Sequence, residues 1–288
     1  MADPKDYKSS LKPIWCPGCG DYGVLQGIYR ALAAIGRPTH DIAFISGIGC
    51  SSRIPGYTQT YGFNSVHGRA LPIAQGLKVA KPELLVLCAG GDGDGFSIGG
   101  GHVPHAVRRN IDITYLVMDN QIYGLTKGQL SPTSAKGTTT VTSPYGSLEQ
   151  PINPLLLMLA YGTGFVAQST PADLAGLTAL IEEAIRYPGF SFVNITSPCV
   201  TYGEPDKQQR ELKNLMIPLA SIGHNSSDRI HAMDLAQQYG KALHTGVFYR
   251  NPEPPPSYDK LILERQKDCS SKALPPKRVL EHLGVKSA

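Results

Sequence analysis

Two sets of side chains in this 288-residue chain have the types and spacing for chemistry. The first is cysteine. Cys16-Pro17-Gly18-Cys19 forms a CxxC pair, and Cys50 and Cys199 stand far from it in sequence, each just past an apolar run. Four thiolates can hold either a structural Zn²⁺ or a 4Fe–4S cluster. The second set is Gly90-Gly91-Asp92-Gly93-Asp94-Gly95, followed after one helix-like and one strand-like segment by Asn120. The glycine run is a poor dinucleotide fingerprint, because Phe96 stands where the third glycine is required. Its two carboxylates would repel a diphosphate brought directly to the backbone, and a bridging divalent cation removes that objection. Mg²⁺ takes about six oxygens in an octahedron and keeps phosphate and water among them. The Asp92 carboxylate, the Asn120 amide oxygen and a backbone carbonyl near Ile122 would leave room for two diphosphate oxygens and a water. The competing reading has Asp92 and Asp94 merely capping the next helix, which leaves Asn120 without a role.

The elements that must position these groups are legible as alternating runs. Ile42–Ser46, Leu84–Ala89, Ile113–Met118 and Phe190–Thr196 are short, nearly continuous apolar segments, as expected of strands covered on both faces in a parallel sheet. Asp21–Ile35 has helical periodicity, with Val24, Leu25, Ile28, Leu32 and Ile35 on one face and Asp21 as a possible N-cap. Leu71–Ala80, Val103–Arg109 and Ala172–Arg186 continue the alternation, which predicts a doubly wound α/β domain. Beyond about Tyr202 the pattern becomes polar. A helix is expected around Asp228–His244, with short helices at Leu261–Lys267 and Lys277–Leu283. Ligands of such sheets bind beyond the carboxyl ends of the strands. Cys50, Gly91-Asp92, Asn120 and Cys199 follow four strand ends, so the two sets converge on one crevice. That position favours a redox cluster over a redox-inert zinc. Cys88 lies inside a strand and reads as core, and Cys269 reads as a bystander on the tail.

Composition limits the remaining classes. Lys plus Arg number 27 against 23 Asp plus Glu, too mild an excess for a nucleic-acid partner. No apolar run approaches the roughly 18 residues of a membrane span. The polar stretch Met1–Ser10 has no apolar core of a secretory signal, so a cytoplasmic protein is expected. Six cysteines in such a chain suggest metal or redox work more than disulfides.

Gly91-Asp92-Gly93 with the later Asn120 resembles the thiamine diphosphate motif. With Trp15-Cys-Pro-Gly-Cys-Gly20, Ser46-Gly-Ile-Gly-Cys-Ser51, His67-Gly-Arg-Ala70, Gly91-Asp-Gly-Asp94, Asn120 to Gln129 and Ser131-Pro-Thr133, the chain resembles the beta (thiamine diphosphate-binding) subunit of 2-oxoacid:ferredoxin oxidoreductases, closest to the 2-oxoglutarate type. The likeness runs from about Lys12 to Tyr202. Asn64 departs from it, standing where a histidine would be expected three positions before His67. The resemblance implies a thiamine diphosphate-binding fold over 12–202, a doubly wound and mainly parallel sheet, with a C-terminal extension over 203–288 that wraps the core or a partner. It implies that Cys16, Cys19, Cys50 and Cys199 hold a 4Fe–4S cluster, and that Asp92, Asn120 and the Ile122 carbonyl hold Mg²⁺. Gly49, Cys50, Ser51, His67, Gly91, Gly93, Asp94, Gly124, Leu125 and Thr126 would line the thiamine diphosphate.

The implied activity is oxidative decarboxylation of a 2-oxoacid, the acyl group passing to coenzyme A and the electrons through the cluster to ferredoxin, with the hard chemistry belonging to the cofactors. Enzymes of this kind also need a domain that grips the aminopyrimidine and supplies an activating glutamate. The tail is too short and polar to be that domain, so an alpha subunit is expected as partner, in a hetero-oligomer such as a dimer of αβ units. Arg53 and Lys127 are candidates for reading the distal carboxylate of 2-oxoglutarate, and His67 for contacting cofactor or substrate. Against this, Lys127 could pair with phosphate and Arg53 could face a partner. Pyruvate or a branched-chain oxoacid is the alternative substrate. A non-catalytic α/β binding protein stapled by a four-cysteine zinc is the alternative class.

Overall fold

The computed structural model describes residues 2–203 and 209–270, the side chains of 209–211 and 268–270 excepted. Its strands are β1 (Ile42–Ser46), β2 (Tyr61–Asn64), β3 (Leu85–Gly91), β4 (Ile113–Asp119), β5 (Ile122–Tyr123), β6 (Gln129–Leu130), β7 (Phe165–Ser169), β8 (Ser191–Thr196), β9 (Met216–Pro218) and β10 (Leu243–Arg250). Its helices are α1 (Asp21–Ile35), α2 (Ile54–Tyr57), α3 (Ala70–Ala80), α4 (Asp92–Phe96), α5 (Val103–Arg108), α6 (Pro154–Tyr161), α7 (Leu174–Arg186), α8 (Gln209–Leu215), α9 (Arg229–Ala236) and α10 (Tyr258–Ser270). Eight strands form one sheet in the order β2-β1-β3-β4-β8-β7-β10-β9, and β5 pairs with β6 as a small separate ribbon. Every pairing in the large sheet is parallel except that of β10 with β7.

The sheet is covered on both faces, as its apolar runs require. Leu87 and Ala89 of β3 face a layer built from α1 and α7, while Val86 and Cys88 face α3, α5, α6 and α9. Successive side chains of a strand point to opposite faces, so an uninterrupted apolar run is what a doubly covered strand needs. Close approach of α1 and α7 rests on Gly27, where a Cβ would lie 3.3 Å from Leu177. Cys88 is fully buried, as expected of a core residue.

Three local expectations differ from the structure. Gly20, not Asp21, is the N-cap of α1; Asp21 is the first helical residue and is itself buried. The helix expected over Asp228–His244 ends at Ala236, and His244 lies in β10. Gly240, at φ +78°, stands in the turn between them. Part of the extension therefore lies in the sheet itself, with β10 beside β7 and β9 beside β10. The helix expected at Lys277–Leu283 lies outside the described residues, as does the Cys269 side chain.

Candidate active site

The loops at the carboxyl ends of β1, β3, β4 and β8 bring the two residue sets together. Gly124 marks their junction. A Cβ built there would lie 3.5 Å from Cys199 Sγ, 3.8 Å from Cys50 Sγ and 3.9 Å from Asn120 Nδ2. The Trp15 indole N–H donates to the Cys50 carbonyl at 2.7 Å, which fastens the CxxC segment onto the loop after β1. Cys19 N–H closes a turn on the Cys16 carbonyl at 3.1 Å.

The thiols are close enough to repel one another as thiolates. Burial pushes Cys50 up to about 11, helped by Asp21, Cys199 and Cys16. Cys19 is pushed up further, by burial, then Asp21, then Cys50 and Cys199. Burial also pushes the Asp21 carboxyl up to about 7. Four thiols from three loops form a donor set suited to iron or zinc, whose charge would relieve that repulsion as the thiols lose their protons. Tyr202 N–H points at Cys199 Sγ, 3.4 Å away, a bond of the kind that tunes cluster sulfurs. Among the described residues, no group of three or more His, Cys, Asp or Glu already stands in metal-ligand geometry.

Asp92 and Asp94 are both buried, and neither caps α4, whose N-cap is Gly91 without a side-chain bond. Asp94 Oδ1 accepts from the Ile48 N–H at 2.9 Å and the Gly68 N–H at 2.8 Å, tying the loop after β1 to the turn before α3. A Cβ on Gly47 would lie 1.9 Å from Asp94 Oδ2, so glycine is needed beside that fixed carboxylate. Asp92 Oδ2 accepts from Thr133 Oγ1 at 2.5 Å, and Oδ1 lies 3.4 Å from the Asn120 N–H. Burial raises the Asp92 pKa, while these donors and the Ser131 hydroxyl oppose it. Asn120 Oδ1 accepts from Ile122 N–H at 3.0 Å and keeps a second lone pair for a cation. With Asp92 buried and Asn120 partly so, these acceptor oxygens fit a hard divalent cation.

Of the other expected residues, His67 is half-buried; its charge would favour ionised Asp94, and its ring lies 6.0 Å from that of Tyr123. Ser51 Oγ lies 3.4 Å from where a Gly91 Cβ would be, and Gly49 takes φ +131° with open space around it. Leu125, Thr126 and Lys127 form an exposed turn, the Thr126 hydroxyl bonding Gln129. Lys127 sits in the left-handed region at φ +75°. Arg53 follows the Cys50 loop, and its charge favours the Cys50 thiolate. Among the described residues, neither Arg53 nor Lys127 forms an ion pair. Asn64, the odd residue of the resemblance, braces β2 by donating to Ser46 Oγ at 3.1 Å and to the Ser52 carbonyl at 2.6 Å.

Comparison with known proteins fits this geometry. Residues 47–195 match the thiamine pyrophosphate enzyme, C-terminal TPP-binding domain. The beta subunit of a 2-oxoacid:ferredoxin oxidoreductase from a Sulfolobus species is 37% identical over 259 residues, 86% of this chain and 85% of that protein. The chain belongs to this beta-subunit family. The 2-oxoglutarate synthase subunit KorB of Methanothermobacter marburgensis is 39% identical, covering 86% of each chain. The 2-oxoglutarate oxidoreductase subunit KorB of Mycobacterium tuberculosis is 48% identical over 200 residues, and the match spans 54% of that longer protein. The solved 2-oxoglutarate:ferredoxin oxidoreductase of Magnetococcus marinus, with 2-oxoglutarate, coenzyme A and succinyl-CoA bound, superposes with a TM-score of 0.90 at 44% identity, over 98% of this chain and 96% of that one.

Motif reading gave no role to Tyr123, Thr133, Asp119 or Tyr239 of this beta subunit, although the first two lie within the quoted motifs. Tyr123 lies over Gly93, where a Cβ would be 2.3 Å from the ring, and its hydroxyl donates to the Gly93 carbonyl at 3.1 Å. Asp119 is buried beside Asn120 at the end of β4. With Asn120, Gln121, Ile122, Thr196 and Tyr239 it borders a cavity of about 610 Å³ that extends toward β9 and the start of β10. Thr133 was quoted in the sequence motif, but nothing in its neighbours signals that its hydroxyl meets Asp92. No helix among the described residues is long and apolar enough to cross a membrane.

Proposed function

We propose that this chain is the catalytic beta subunit of a 2-oxoglutarate:ferredoxin oxidoreductase. The reaction converts 2-oxoglutarate and coenzyme A to succinyl-CoA, CO₂ and a proton, and delivers two electrons singly through a 4Fe–4S cluster to ferredoxin. The observation that carries this reading is the Gly124 junction, where Cys50, Cys199 and Asn120 surround one point. Thiol donors and diphosphate anchor are thus close enough for electrons to pass between them. The relatives named for 2-oxoglutarate support the substrate.

Thiamine diphosphate, when bound, supplies a carbon nucleophile and an electron sink for decarboxylation, and a cluster supplies a one-electron outlet. This chain's own residues do the positioning. Cys16, Cys19, Cys50 and Cys199 hold the cluster. Asp92, Asn120 and the Ile122 carbonyl would hold Mg²⁺, whose charge would let a diphosphate lie beside the buried carboxylates. Asp94, fixed by two backbone N–H groups, holds the Gly47–Gly49 loop against the site, and Tyr123 shields Gly93 from water. His67, Arg53 and Lys127 border the substrate side, where cationic groups suit a dicarboxylate. An alpha subunit carrying the pyrimidine-binding domain completes the site, and the assembly works in the cytoplasm.

The test is a substrate panel. The complex of this chain with its alpha subunit, prepared without oxygen, is assayed by viologen reduction with 2-oxoglutarate, pyruvate and a branched-chain oxoacid. The highest kcat/KM is expected for 2-oxoglutarate, strictly dependent on coenzyme A. A preference for pyruvate would overturn the substrate. A colourless, zinc-containing and inactive complex would overturn the enzyme.

A further inference from the structure

We propose that Tyr239, on the C-terminal extension, is a positioning residue for the Mg²⁺–thiamine diphosphate site, acting through Asp119 and Thr133 on Asp92. This rests on the cofactor assignment above and adds a residue far outside the sequence motifs. The Tyr239 hydroxyl donates to Asp119 Oδ2, and Gln121 Nε2 donates to the Tyr239 oxygen at 3.3 Å. Asn194 Nδ2 also donates to Asp119 Oδ2, at 3.2 Å. Thr133 Oγ1 lies between the two buried carboxylates, 2.5 Å from Asp92 Oδ2 and 3.3 Å from Asp119 Oδ1.

A threonine hydroxyl has one proton, so it can satisfy one carboxylate at a time. The distances assign that proton to Asp92. Asp119 tolerates this because Tyr239 and Asn194 supply donors of its own. Without the Tyr239 hydroxyl, Asp119 is a buried carboxylate short of a donor and competes for the Thr133 proton. Asp92 would then lose the shorter of its two hydrogen bonds of known length, at the oxygen Oδ2. Ligating carboxylates are themselves held by hydrogen bonds, and removing such a support typically costs about 10–100-fold in metal affinity. The extension therefore does more than cover the core: one of its side chains sets the geometry of the proposed ligand that opens α4.

The complex of this chain with its alpha subunit, stripped of cofactor, is titrated with Mg²⁺ at fixed thiamine diphosphate by calorimetry, and the melting temperature of each cofactor-free variant is recorded. Tyr239→Phe is expected to raise the Mg²⁺ concentration for half-saturation by about tenfold. Thr133→Val should do at least as much, and Thr133→Ser should restore wild-type affinity. If both act by one route, adding Tyr239→Phe to Thr133→Val should cost little more. A wild-type Mg²⁺ dependence in Tyr239→Phe, whatever its melting temperature, overturns the proposal. Full additivity of the two substitutions also overturns it. A wild-type complex that binds no thiamine diphosphate with Mg²⁺ overturns the cofactor assignment instead, and this proposal with it.

Discussion

Gly124 offers a test at the scale of one hydrogen atom. A methyl group there would make ordinary contacts with the Cys199 and Cys50 sulfurs and with the Asn120 amide, at 3.5–3.9 Å. Gly124→Ala should therefore fold normally, because the backbone at Gly124 has no positive φ and the metal-free site has room. It should nevertheless carry less iron and less thiamine diphosphate, because the methyl takes the ground between the two groups. Iron content and bound cofactor, measured beside the melting temperature, check this; full loading in Gly124→Ala would refute the shared junction. Asp92→Ala makes a sharper separation. It removes the carboxylate proposed to ligate Mg²⁺ and should release the thiamine diphosphate while iron stays bound. Loss of both together would mean that Asp92 supports the fold and not the cation. Cys88→Ala, at a fully buried position in β3, should keep full iron, whereas Ser at Cys16, Cys19, Cys50 or Cys199 should not. The residues proposed as ligands were legible in the sequence because their chemistry is in their types: four cysteines, a carboxylate between glycines and an asparagine. Thr133 and Tyr239 were not, because a hydroxyl acquires its role from whichever carboxylate the fold sets beside it.

The elements divide in the same way. Strands β1, β3, β4 and β8 were readable because burial on both faces imposes a nearly continuous apolar run, bulky residues dominating even where Ser191 and Asn194 interrupt β8. Strand β2 was not, since its four residues are exposed at the sheet edge. Strand β7 was missed although it is buried, because Gln168 and Ser169 interrupt its apolar pattern. The Gln168 amide donates to the His244 carbonyl at 2.8 Å, a bond across strands that sequence cannot announce. His244 in turn makes β10 a pH-sensitive element. Burial, and then the neighbouring His224, lower its pKa from the ordinary value. His224 itself contacts the Phe248 carbonyl at 2.7 Å and faces the His231 ring nitrogen at 3.2 Å. A histidine with a depressed folded pKa binds fewer protons folded than unfolded. Its contribution to stability is present above the unfolded pKa of about 6.5 and is lost as pH falls through the folded value. The melting temperature should accordingly drop between about pH 8 and pH 5, and His244→Asn should narrow that drop. An unchanged pH dependence in His244→Asn would assign the acid sensitivity elsewhere.

For the whole molecule, the proposal that an alpha subunit completes the site makes a prediction of its own. Ile48, Val66, Ile98 and Leu125, from four different loops or turns near the expected cofactor residues, are 43–70% exposed. Large exposed apolar groups of this kind mark an interaction surface. The chain alone should therefore be inactive and self-associating, and the alpha subunit should restore both turnover and a discrete size in gel filtration. Within that complex, Lys127 is the proposed reader of the substrate's distal carboxylate. Its φ of +75° is unusual for any residue with a side chain, and Lys127→Met keeps the same backbone demand and the same stem while removing the charge. If Lys127 meets the distal carboxylate of 2-oxoglutarate, the loss is one charge-assisted bond of about 1.5–3 kcal/mol, or roughly tenfold and more in kcat/KM. Pyruvate has no such carboxylate and should lose little. The ratio of the two kcat/KM values is the informative quantity, because folding defects and poor loading scale both equally. A parallel fall for both substrates would move Lys127 from the substrate to the diphosphate or to coenzyme A, and would leave Arg53, beside the Cys50 thiol, as the remaining cation of the original pair. An unchanged ratio with unchanged rates would remove Lys127 from the site altogether.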